Sequence, residues 1–508
     1  MDLLRRASRQ YPGDFWVNHY LGLALLSQKP AEAERYFAMA VALRPDSAGP
    51  HNNLGLALQG QRRYEEAVAE YHRALDLDPN HAGAHNHLGT LRMRQGNMTE
   101  AVREFQRAID LDPKYAPAHN NLGTVLAARG KRDEAIAAYR RALASNPRDG
   151  KAHYNLGVML LNQRQLDEAA VEFQKAIDIE GDFAAAHNNL GITLFEQGKL
   201  ADAVAQFRKG LALNPGDAAT HNNLGFVLKR QHKLDEAIGE FRAAVAADPK
   251  HTSAWYNLGT ALYDDGKLEE ALAAFQEAAK LDPKDVKIPD ALAEVFFRLG
   301  KIAPARDSLR RSLELCPKDD PRRARIAADL RDCERMLELE KRLPQILTGQ
   351  VQPAGAGERL AYANLCYRTN RPAAAARFYA DAFGTDPKLA DDPKAGRRYN
   401  ASCCAARAGC GQGSDAKKLD DKERARWRRQ ALDWLKADLV AYGKLLENGE
   451  PKDRTQVQQR LEHWQQDGDL AGIREPAAVS RLPGEEQQAC RKLWAEVEAL
   501  RQKAQPQK

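Results

Sequence analysis

Residues 82–115 read AGAHNHLGTLRMRQGNMTEAVREFQRAIDLDPKY, and this stretch of 34 residues returns with changes along much of the chain. Its glycine, Gly89, belongs to a series in which glycine returns every 34 residues. The series is Gly55, Gly89, Gly123, Gly157, Gly191, Gly225 and Gly259. Its alanine, Ala101, and its proline, Pro113, recur at the same period. A chain that is self-similar at such a period forms a stacked array, because each unit buries its apolar face only against its neighbours.

Each unit is predicted to be a pair of helices. In 82–115, a first helical pattern ends near Gly96, and Ala101, Phe105 and Ala108 then recur at helical spacing. Pro113 cannot continue the second helix, so it marks a turn. We expect Gly89 and Ala101 to form the close contact between the two helices, with the aromatic side chain of Phe105 in the core.

These residues resemble the tetratricopeptide motif, with glycine at position 8, alanine at position 20, an aromatic at position 24 and proline at position 32. The resemblance covers 14–319 as an array of about nine repeats, of which the last, 286–319, is degenerate. It implies an all-α fold, a right-handed α-solenoid followed by a smaller helical C-terminal domain. The first repeat lacks one residue between Gly22 and Pro45, which the turn is expected to absorb.

The segments outside the array are also expected to be helical. Residues 1–13 match the second helix of a repeat, either as a lone capping helix or, as we favour, as part of a longer chain cut at Met1. Residues 320–357 are predicted to be a helix ending near Pro344 and a linker. Residues 358–508 are predicted to be a degenerate tetratricopeptide-like domain. Limited proteolysis is therefore expected to cut first within 350–357.

Composition and motifs exclude several classes of function. The 76 basic and 70 acidic residues nearly cancel, which argues against a dedicated nucleic-acid binder. No apolar run reaches membrane-spanning length, and the first residues lack the apolar segment of a signal peptide, so we expect a cytoplasmic protein without a membrane partner. Histidines one repeat apart lie too far from each other to share a metal ion. We predict no catalytic residues, no metal and no cofactor.

The candidate site lies on the first helix of each repeat. Position 6 holds asparagine, a mediocre helix former, at Asn53, Asn121, Asn155, Asn189, Asn223 and Asn257. An inter-helix hydrogen bond would explain this choice. In the similar arrays of O-linked N-acetylglucosamine transferases, however, asparagine here binds the backbone of an extended peptide on the concave surface. Positions 9 and 12 add apolar side chains to the predicted groove at Val158, Leu161, Ile192, Phe195, Phe226 and Tyr263.

The sequence thus predicts a protein–protein interaction scaffold that binds an extended protein or peptide segment, not an enzyme. Segments of the tail such as Gly409-Cys410-Gly411-Gln412-Gly413 also resemble the region after the repeats in large bacterial serine/threonine kinases. The alternative is therefore a regulatory or substrate-docking region of a kinase whose catalytic domain would lie upstream. Part of a glycosyltransferase is less favoured, because 320–508 shows no alternating strand pattern. RNA binding is a further alternative, although RNA-binding helical arrays do not keep this glycine, alanine and proline pattern.

Overall fold

The computed structural model describes residues 2–392, 395–448 and 451–504, and over these ranges all regular secondary structure is helical. The predicted all-α solenoid of paired helices is confirmed. The chain divides into two compact units, Met1–Pro249 and Lys250–Lys508. Met1, in the predicted segment 1–13, and residues 505–508, in the predicted domain 358–508, lie outside the described residues. Within the described part, no helix is both long enough and apolar enough to cross a membrane.

The first unit contains one single helix and seven helix pairs. In each pair we call the first helix A and the second helix B. The single helix is α1 (Asp2–Gln10). The pairs are α2 (Phe15–Leu25) with α3 (Pro30–Leu43), α4 (Ala48–Gly60) with α5 (Tyr64–Leu77), α6 (Ala82–Arg94) with α7 (Met98–Leu111), α8 (Ala116–Ala128) with α9 (Arg132–Ser145), α10 (Gly150–Asn162) with α11 (Leu166–Ile179), α12 (Ala184–Glu196) with α13 (Leu200–Leu213), and α14 (Ala218–Arg230) with α15 (Leu234–Ala247).

The repeated glycine allows the aromatic ring of helix B to press against helix A. A Cβ atom placed on Gly89 would lie 2.8 Å from Cε1 of Phe105, and one placed on Gly191 would lie 2.6 Å from Cε1 of Phe207. Both rings are fully buried, as is Ala101. The prediction that the aromatics form the core is therefore confirmed. The close partner of the glycine, however, is the position-24 ring rather than the position-20 alanine.

The first repeat, which is one residue shorter than the others, has a shortened helix A. Helix α2 has 11 residues, whereas α4 has 13, and the segment 26–29 connects α2 to α3. Pro30 begins α3 and supplies the φ angle of a first helical turn without needing a backbone donor. The expectation that the turn alone absorbs the deletion is therefore wrong, because the end of α2 shortens instead. At α1, Leu4 packs against the core of this repeat, while Leu3 is 81% exposed.

The second unit begins with two further pairs and continues with less regular helices. They are α16 (Thr252–Asp264), α17 (Leu268–Leu281), α18 (Lys287–Arg298), α19 (Ile302–Leu315), α20 (Arg322–Leu347), α21 (Ala356–Arg368), α22 (Pro372–Thr385), α23 (Lys388–Asp391), α24 (Arg397–Gly409), α25 (Asp421–Asn448), α26 (Pro451–Gln466), α27 (Ala471–Arg474), α28 (Pro476–Val479) and α29 (Gly484–Ala504). Short 3₁₀ helices cover Ala416–Lys418 and Gly468–Leu470.

Helix α20 runs past the proline that was expected to end it. Pro344 lies inside α20, and the buried side chains Leu343 and Ile346 flank it. A proline within a helix costs about 3 kcal/mol, so the packing on both of its sides outweighs that cost. The apolar core of this unit extends from Ala293 to Ala504 and includes residues before and after 350–357. The domain boundary at residue 357 stays a prediction.

The glycine-rich segment after α24 is held by close contacts. Gly411 and Gly413 have φ angles of 72° and 101°, in the left-handed region that favours glycine. A Cβ atom on Gly413 would lie 2.3 Å from Cδ of Pro372, at the start of α22. The backbone N–H of Ser414 donates to the carbonyl of Asn370 at 2.8 Å. This segment therefore packs closely against the start of α22.

Candidate functional site

The position-6 asparagines join consecutive repeats through their side chains. Four of them, Asn121, Asn155, Asn189 and Asn223, donate from Nδ2 to the position-5 side chain of the preceding helix A. The amide-to-amide distances are 2.9 Å for Asn121–Asn86, 3.1 Å for Asn155–Asn120 and 3.1 Å for Asn223–Asn188. We call this series the amide ladder. It shows that the predicted inter-helix hydrogen bond exists, and that it links neighbouring repeats rather than the two helices of one repeat.

Two steps of the ladder use rings in place of an amide. Asn189 donates from Nδ2 to the hydroxyl oxygen of Tyr154 at 2.9 Å. His87, which replaces asparagine at position 6, lies with Nδ1 2.8 Å from Oδ1 of Asn52. Burial lowers the pKa of His87 to about 4, so the ring is neutral near pH 7 and Nδ1–H is the donor. The ladder geometry thus tolerates histidine and tyrosine where they supply the same polar atom.

The sequence pointed to position 6 but not to its position-5 partners. The signal was present as the repeated triplet His-Asn-Asn, for example at His187-Asn188-Asn189. Its three residues have different contacts. The first reaches helix B of its own repeat, the second accepts the ladder hydrogen bond and the third donates one to the repeat before it.

Position-4 histidines connect helix A to helix B within several repeats. In four repeats Nδ1 faces a glutamate of helix B, at 2.7 Å for His51–Glu70, 2.7 Å for His85–Glu104, 2.5 Å for His153–Glu172 and 2.6 Å for His221–Glu240. Nε2 of each faces the carbonyl of the proline six residues earlier, at 3.1 to 3.2 Å. Each of these rings therefore connects helix B to the turn that precedes its own helix A.

The predicted apolar residues of the first unit lie on the same helix A series. Val158 and Leu161 are half-buried and pack against the core that Phe173 helps to form. Ile192 is half-buried as well. Phe195 and Phe226, from consecutive repeats, meet edge to face with ring centroids 5.6 Å apart. Phe226 is 41% exposed, so this pair offers aromatic surface to solvent.

The other predicted site residues have separate surroundings. Asn53 accepts a hydrogen bond at Oδ1 from Nδ2 of Asn52, at 3.2 Å. Asn257 and Tyr263 belong to the second unit. Asn257 is half-buried, and its carbonyl accepts from Thr260 at 2.8 Å. The hydroxyl of Tyr263 donates to Oε1 of Glu294 at 2.9 Å. Burial, followed by the charge of Glu294, raises the pKa of Tyr263 to about 12.

Family models recognise the helix pairs of both units. A model described as tetratricopeptide repeat matches residues 52–116, 120–184 and 222–286. One described as TPR repeat matches 193–232, and a further tetratricopeptide repeat model matches 262–330. No curated protein matches the chain significantly.

Solved structures with similar folds are tetratricopeptide proteins and related assemblies. YrrB, described as a TPR protein with an unusual peptide-binding site, is 23% identical over 36% of this chain and 95% of its own, with a TM-score of 0.33. PilF of Pseudomonas aeruginosa is 22% identical over 42% of this chain and 97% of its own, with a TM-score of 0.39. The APC/C hetero-tetramer Cut9–Hcn1 is 18% identical over 62% of this chain and 63% of its own, with a TM-score of 0.42. These likenesses extend no further than the fold.

The family matches lie on the same helix pairs that carry the buried glycine–aromatic contacts. A fold of this kind supports a role as a protein–protein interaction scaffold. The resemblance to kinases and to O-linked N-acetylglucosamine transferases stays a prediction. The chain belongs to the tetratricopeptide repeat proteins.

Proposed function

We propose that the helix A face of the first unit binds an extended segment of another protein. The observation that carries this proposal is the aromatic pair Phe195–Phe226, of which Phe226 is exposed and Phe195 half-buried. The pair lies on the same helices, α12 and α14, as the ladder amides Asn189 and Asn223. Exposed aromatic surface beside aligned polar groups is typical of a protein-binding surface.

The ladder fixes the orientation of the amides before a ligand arrives. A carboxamide has two N–H donors and one acceptor oxygen, and the ladder uses one N–H of Asn189 and of Asn223. Because the carboxamide is planar, the same hydrogen bond also fixes the direction of its second N–H and of its acceptor oxygen. These are the groups that pair with the C=O and N–H of an extended backbone. Binding would lose little side-chain entropy, because the amides are already held.

The apolar positions would select the side chains of the ligand. Helices pack about 10 Å apart, and an extended chain rises about 3.3 Å per residue, so each repeat would meet roughly three ligand residues. Burying a phenylalanine contributes about 1.5 to 3 kcal/mol, whereas a hydrogen bond contributes about 0.5 to 1.5 kcal/mol. We therefore assign affinity for any extended backbone to the amides, and the choice of sequence to Phe226, Ile192 and their apolar neighbours.

Peptides selected from a random 12-residue library would test this proposal. The dissociation constant of a selected peptide is expected to rise at least about tenfold for Phe226→Ser, since about 1.4 kcal/mol is a factor of ten. The double variant Asn189→Ala/Asn223→Ala is expected to weaken unrelated selected peptides to a similar extent. Isothermal titration calorimetry on the full chain measures both effects.

Val171→Ser is the matched control for Phe226→Ser. Val171 lies on α11, a helix B, and is 52% exposed, so this change removes an exposed apolar side chain of the same unit outside the proposed site. We expect unchanged affinity for Val171→Ser, and unchanged helicity by circular dichroism for all variants. Equal affinities for the parent, Phe226→Ser and Asn189→Ala/Asn223→Ala would show that the peptide binds elsewhere. We propose a binding role without a catalytic step, and the cytoplasm remains the predicted compartment of the protein.

A further inference from the structure

Three exposed apolar side chains follow one face of α2, the helix A of the first repeat. They are Trp16, Tyr20 and Leu23, which are 52%, 54% and 42% exposed. Their spacing places them side by side on the helix surface. The rings of Trp16 and Tyr20 stack at 25° with centroids 5.9 Å apart, so they form a nearly flat aromatic surface. We call these three residues the α2 stripe.

The α2 stripe lies on the same face of the repeats as the amide ladder and Phe226. With Gly22 at position 8 of the first repeat, Tyr20 holds position 6, where the ladder asparagines lie in later repeats. Leu23 holds position 9, which is the position of Phe226 in its own repeat. Equivalent positions of stacked repeats face the same way. The stripe therefore continues the helix A face to the first repeat.

The ladder stops one helix before the stripe. A further step would join Asn53 of α4 to His19, at position 5 of α2. Asn53 instead accepts at Oδ1 from Asn52, at 3.2 Å, and Nδ1 of His19 is buried without a hydrogen-bond partner in the described structure. Burial lowers the pKa of His19, so its ring is neutral near pH 7. The helix A face thus changes from aligned amides to an uncharged aromatic surface at α2.

Exposed large apolar side chains mark both ends of this face. Among the described residues on the helices A of the first unit, they are limited to the α2 stripe and to Phe226 of α14. Between these ends, the apolar side chains at positions 9 and 12 of α4, α6, α8, α10 and α12 are half-buried. The amide ladder spans the same interval, from α4 to α14.

The aromatic side chains of α2 are restrained by their neighbours. The guanidinium carbon of Arg44 lies 4.0 Å from the ring centre of Phe15 and 5.4 Å from that of Trp16, distances that allow a cation–π attraction. Phe15 also meets Trp16 edge to face, with ring centroids 5.0 Å apart. A surface that is already ordered loses little side-chain entropy when a ligand covers it.

We propose that the segment bound along the helix A face carries two bulky apolar side chains, one on the α2 stripe and one at Phe226. The amides between them would hold the backbone of the connecting stretch. This pattern rests on the function proposed for the helix A face, and it adds the length and spacing of the ligand. Six helix-to-helix steps of about 10 Å separate α2 from α14, and an extended chain rises about 3.3 Å per residue. The two apolar residues are therefore expected about 18 residues apart.

Extended versions of a selected peptide test this proposal on the full chain. The starting peptide is a 12-residue peptide whose affinity depends on Phe226. Gly-Ser spacers of three to eighteen residues join it, at either end, to a terminal Leu-Phe pair, or to Ser-Ser as the control. We expect Leu-Phe to lower the dissociation constant at least about tenfold once the spacer can span the two sites, and not with shorter spacers, because the second contact is then intramolecular. Fluorescence anisotropy of fluorescein-labelled peptides measures the series.

Variants of the stripe show where the added pair binds. Trp16→Ala/Tyr20→Ala is expected to abolish the gain from Leu-Phe while leaving the affinity of the unextended peptide within about twofold. Leu213→Ser is the matched control. It removes a side chain that is 42% exposed from α13, a helix B, and should retain the gain.

A measurement on the parent chain keeps the test decisive if the double variant folds poorly. Trp16 is the only tryptophan among residues 1–249. Its fluorescence can be isolated as the difference between the parent and Trp16→Phe. Acrylamide should quench this fluorescence less when the extended peptide is bound, and as before when the unextended peptide is bound.

Several results would contradict the proposal. They are the absence of a gain at every spacer length, a gain that Trp16→Ala/Tyr20→Ala retains, and a gain that Leu213→Ser also loses. A dimer of the parent that the double variant dissociates, seen by analytical ultracentrifugation, would show that a second copy covers the stripe instead. Failure of the proposed function gives a different result, because Phe226→Ser would then leave the affinity of the unextended peptide unchanged.

Discussion

Replacing Gly191 by alanine is expected to lower the free energy of unfolding by about 1 to 3 kcal/mol, the usual range for overpacking. The new Cβ atom would lie 2.6, 2.8 and 2.9 Å from Cε1, Cδ1 and Cζ of Phe207. Phe207 is only 1% exposed, so its ring has no free space into which to move. Helix propensity alone predicts the opposite sign, because alanine is favoured over glycine by about 1 kcal/mol within a helix.

Gly239→Ala is the matched control for this change. Gly239 lies within α15, is exposed, and has no atom within 4 Å of an added Cβ. There the helix propensity acts alone, so we expect stability to rise by about 0.5 to 1 kcal/mol. Urea unfolding followed by circular dichroism at 222 nm compares the two variants. If Gly191→Ala is as stable as Gly239→Ala, the ring contact does not explain the repeated glycine.

This contact shows which parts of the fold can be predicted from the sequence. A fixed period of glycine, alanine and proline predicts paired helices and a repeating core, because every unit must solve the same packing problem. It does not show which small residue touches which ring. Gly89 and Ala101 both needed to be small, and only the three-dimensional arrangement places the ring of Phe105 against the glycine.

Predictions that relied on a single residue were less successful than those that relied on the period. Pro344 suggested the end of a helix, but the buried Leu343 and Ile346 hold α20 together around it. The shortened first repeat changes the end of α2, where Leu25 is the last helical residue, rather than the turn alone. In both cases tertiary packing outweighs a local preference, which the linear sequence does not reveal.

Only part of the candidate site could be predicted from the sequence, because its hydrogen bonds join residues that are distant along the chain. Asn121 and Asn155 could be singled out because they recur at one position, but their partners Asn86 and Asn120 lie 35 residues away in the sequence. The contact of Arg368 with the ring of Phe297, whose centre lies 4.8 Å from the guanidinium carbon, is harder still to recognise. Phe297 and Arg368 lie on helices that α19 and α20 separate in the sequence, so no fixed spacing connects them.

The position-4 histidine His119 has no partner on helix B for its Nδ1 in the described structure. His119 keeps the contact of Nε2 with the carbonyl of Pro113, at 2.9 Å. Position 23 of its repeat holds Ala138, and Nδ1 of His119 is buried without a hydrogen-bond partner in the described structure. A buried polar atom left unpaired costs about 1 to 3 kcal/mol. The repeat 116–149 is therefore expected to be less stable than its neighbour 150–183.

Ala138→Glu is expected to stabilise the protein by about 1 to 2 kcal/mol. This is below the upper limit for a hydrogen bond to a charged group, which is about 3 kcal/mol. The added carboxylate would face Nδ1 of His119 as Glu172 faces His153, at 2.5 Å. Conversely, Glu172→Ala would recreate the unpaired histidine in the next repeat and should destabilise it by about 1.5 to 3 kcal/mol. Urea unfolding of both variants measures the two changes.

Two controls separate this hydrogen bond from a general effect of charge. Ala137→Glu adds the same charge at the neighbouring, exposed position of α9, and should leave the free energy of unfolding within about 0.5 kcal/mol of the parent. In a double-mutant cycle, His119→Ala should abolish the gain from Ala138→Glu, because the interaction energy belongs to the pair. A gain that persists without His119, or one that Ala137→Glu reproduces, would show that the carboxylate stabilises α9 by another route. A gain confined to the pair would establish that the histidine–glutamate contact, repeated along the array, contributes to the stability of every unit that contains it.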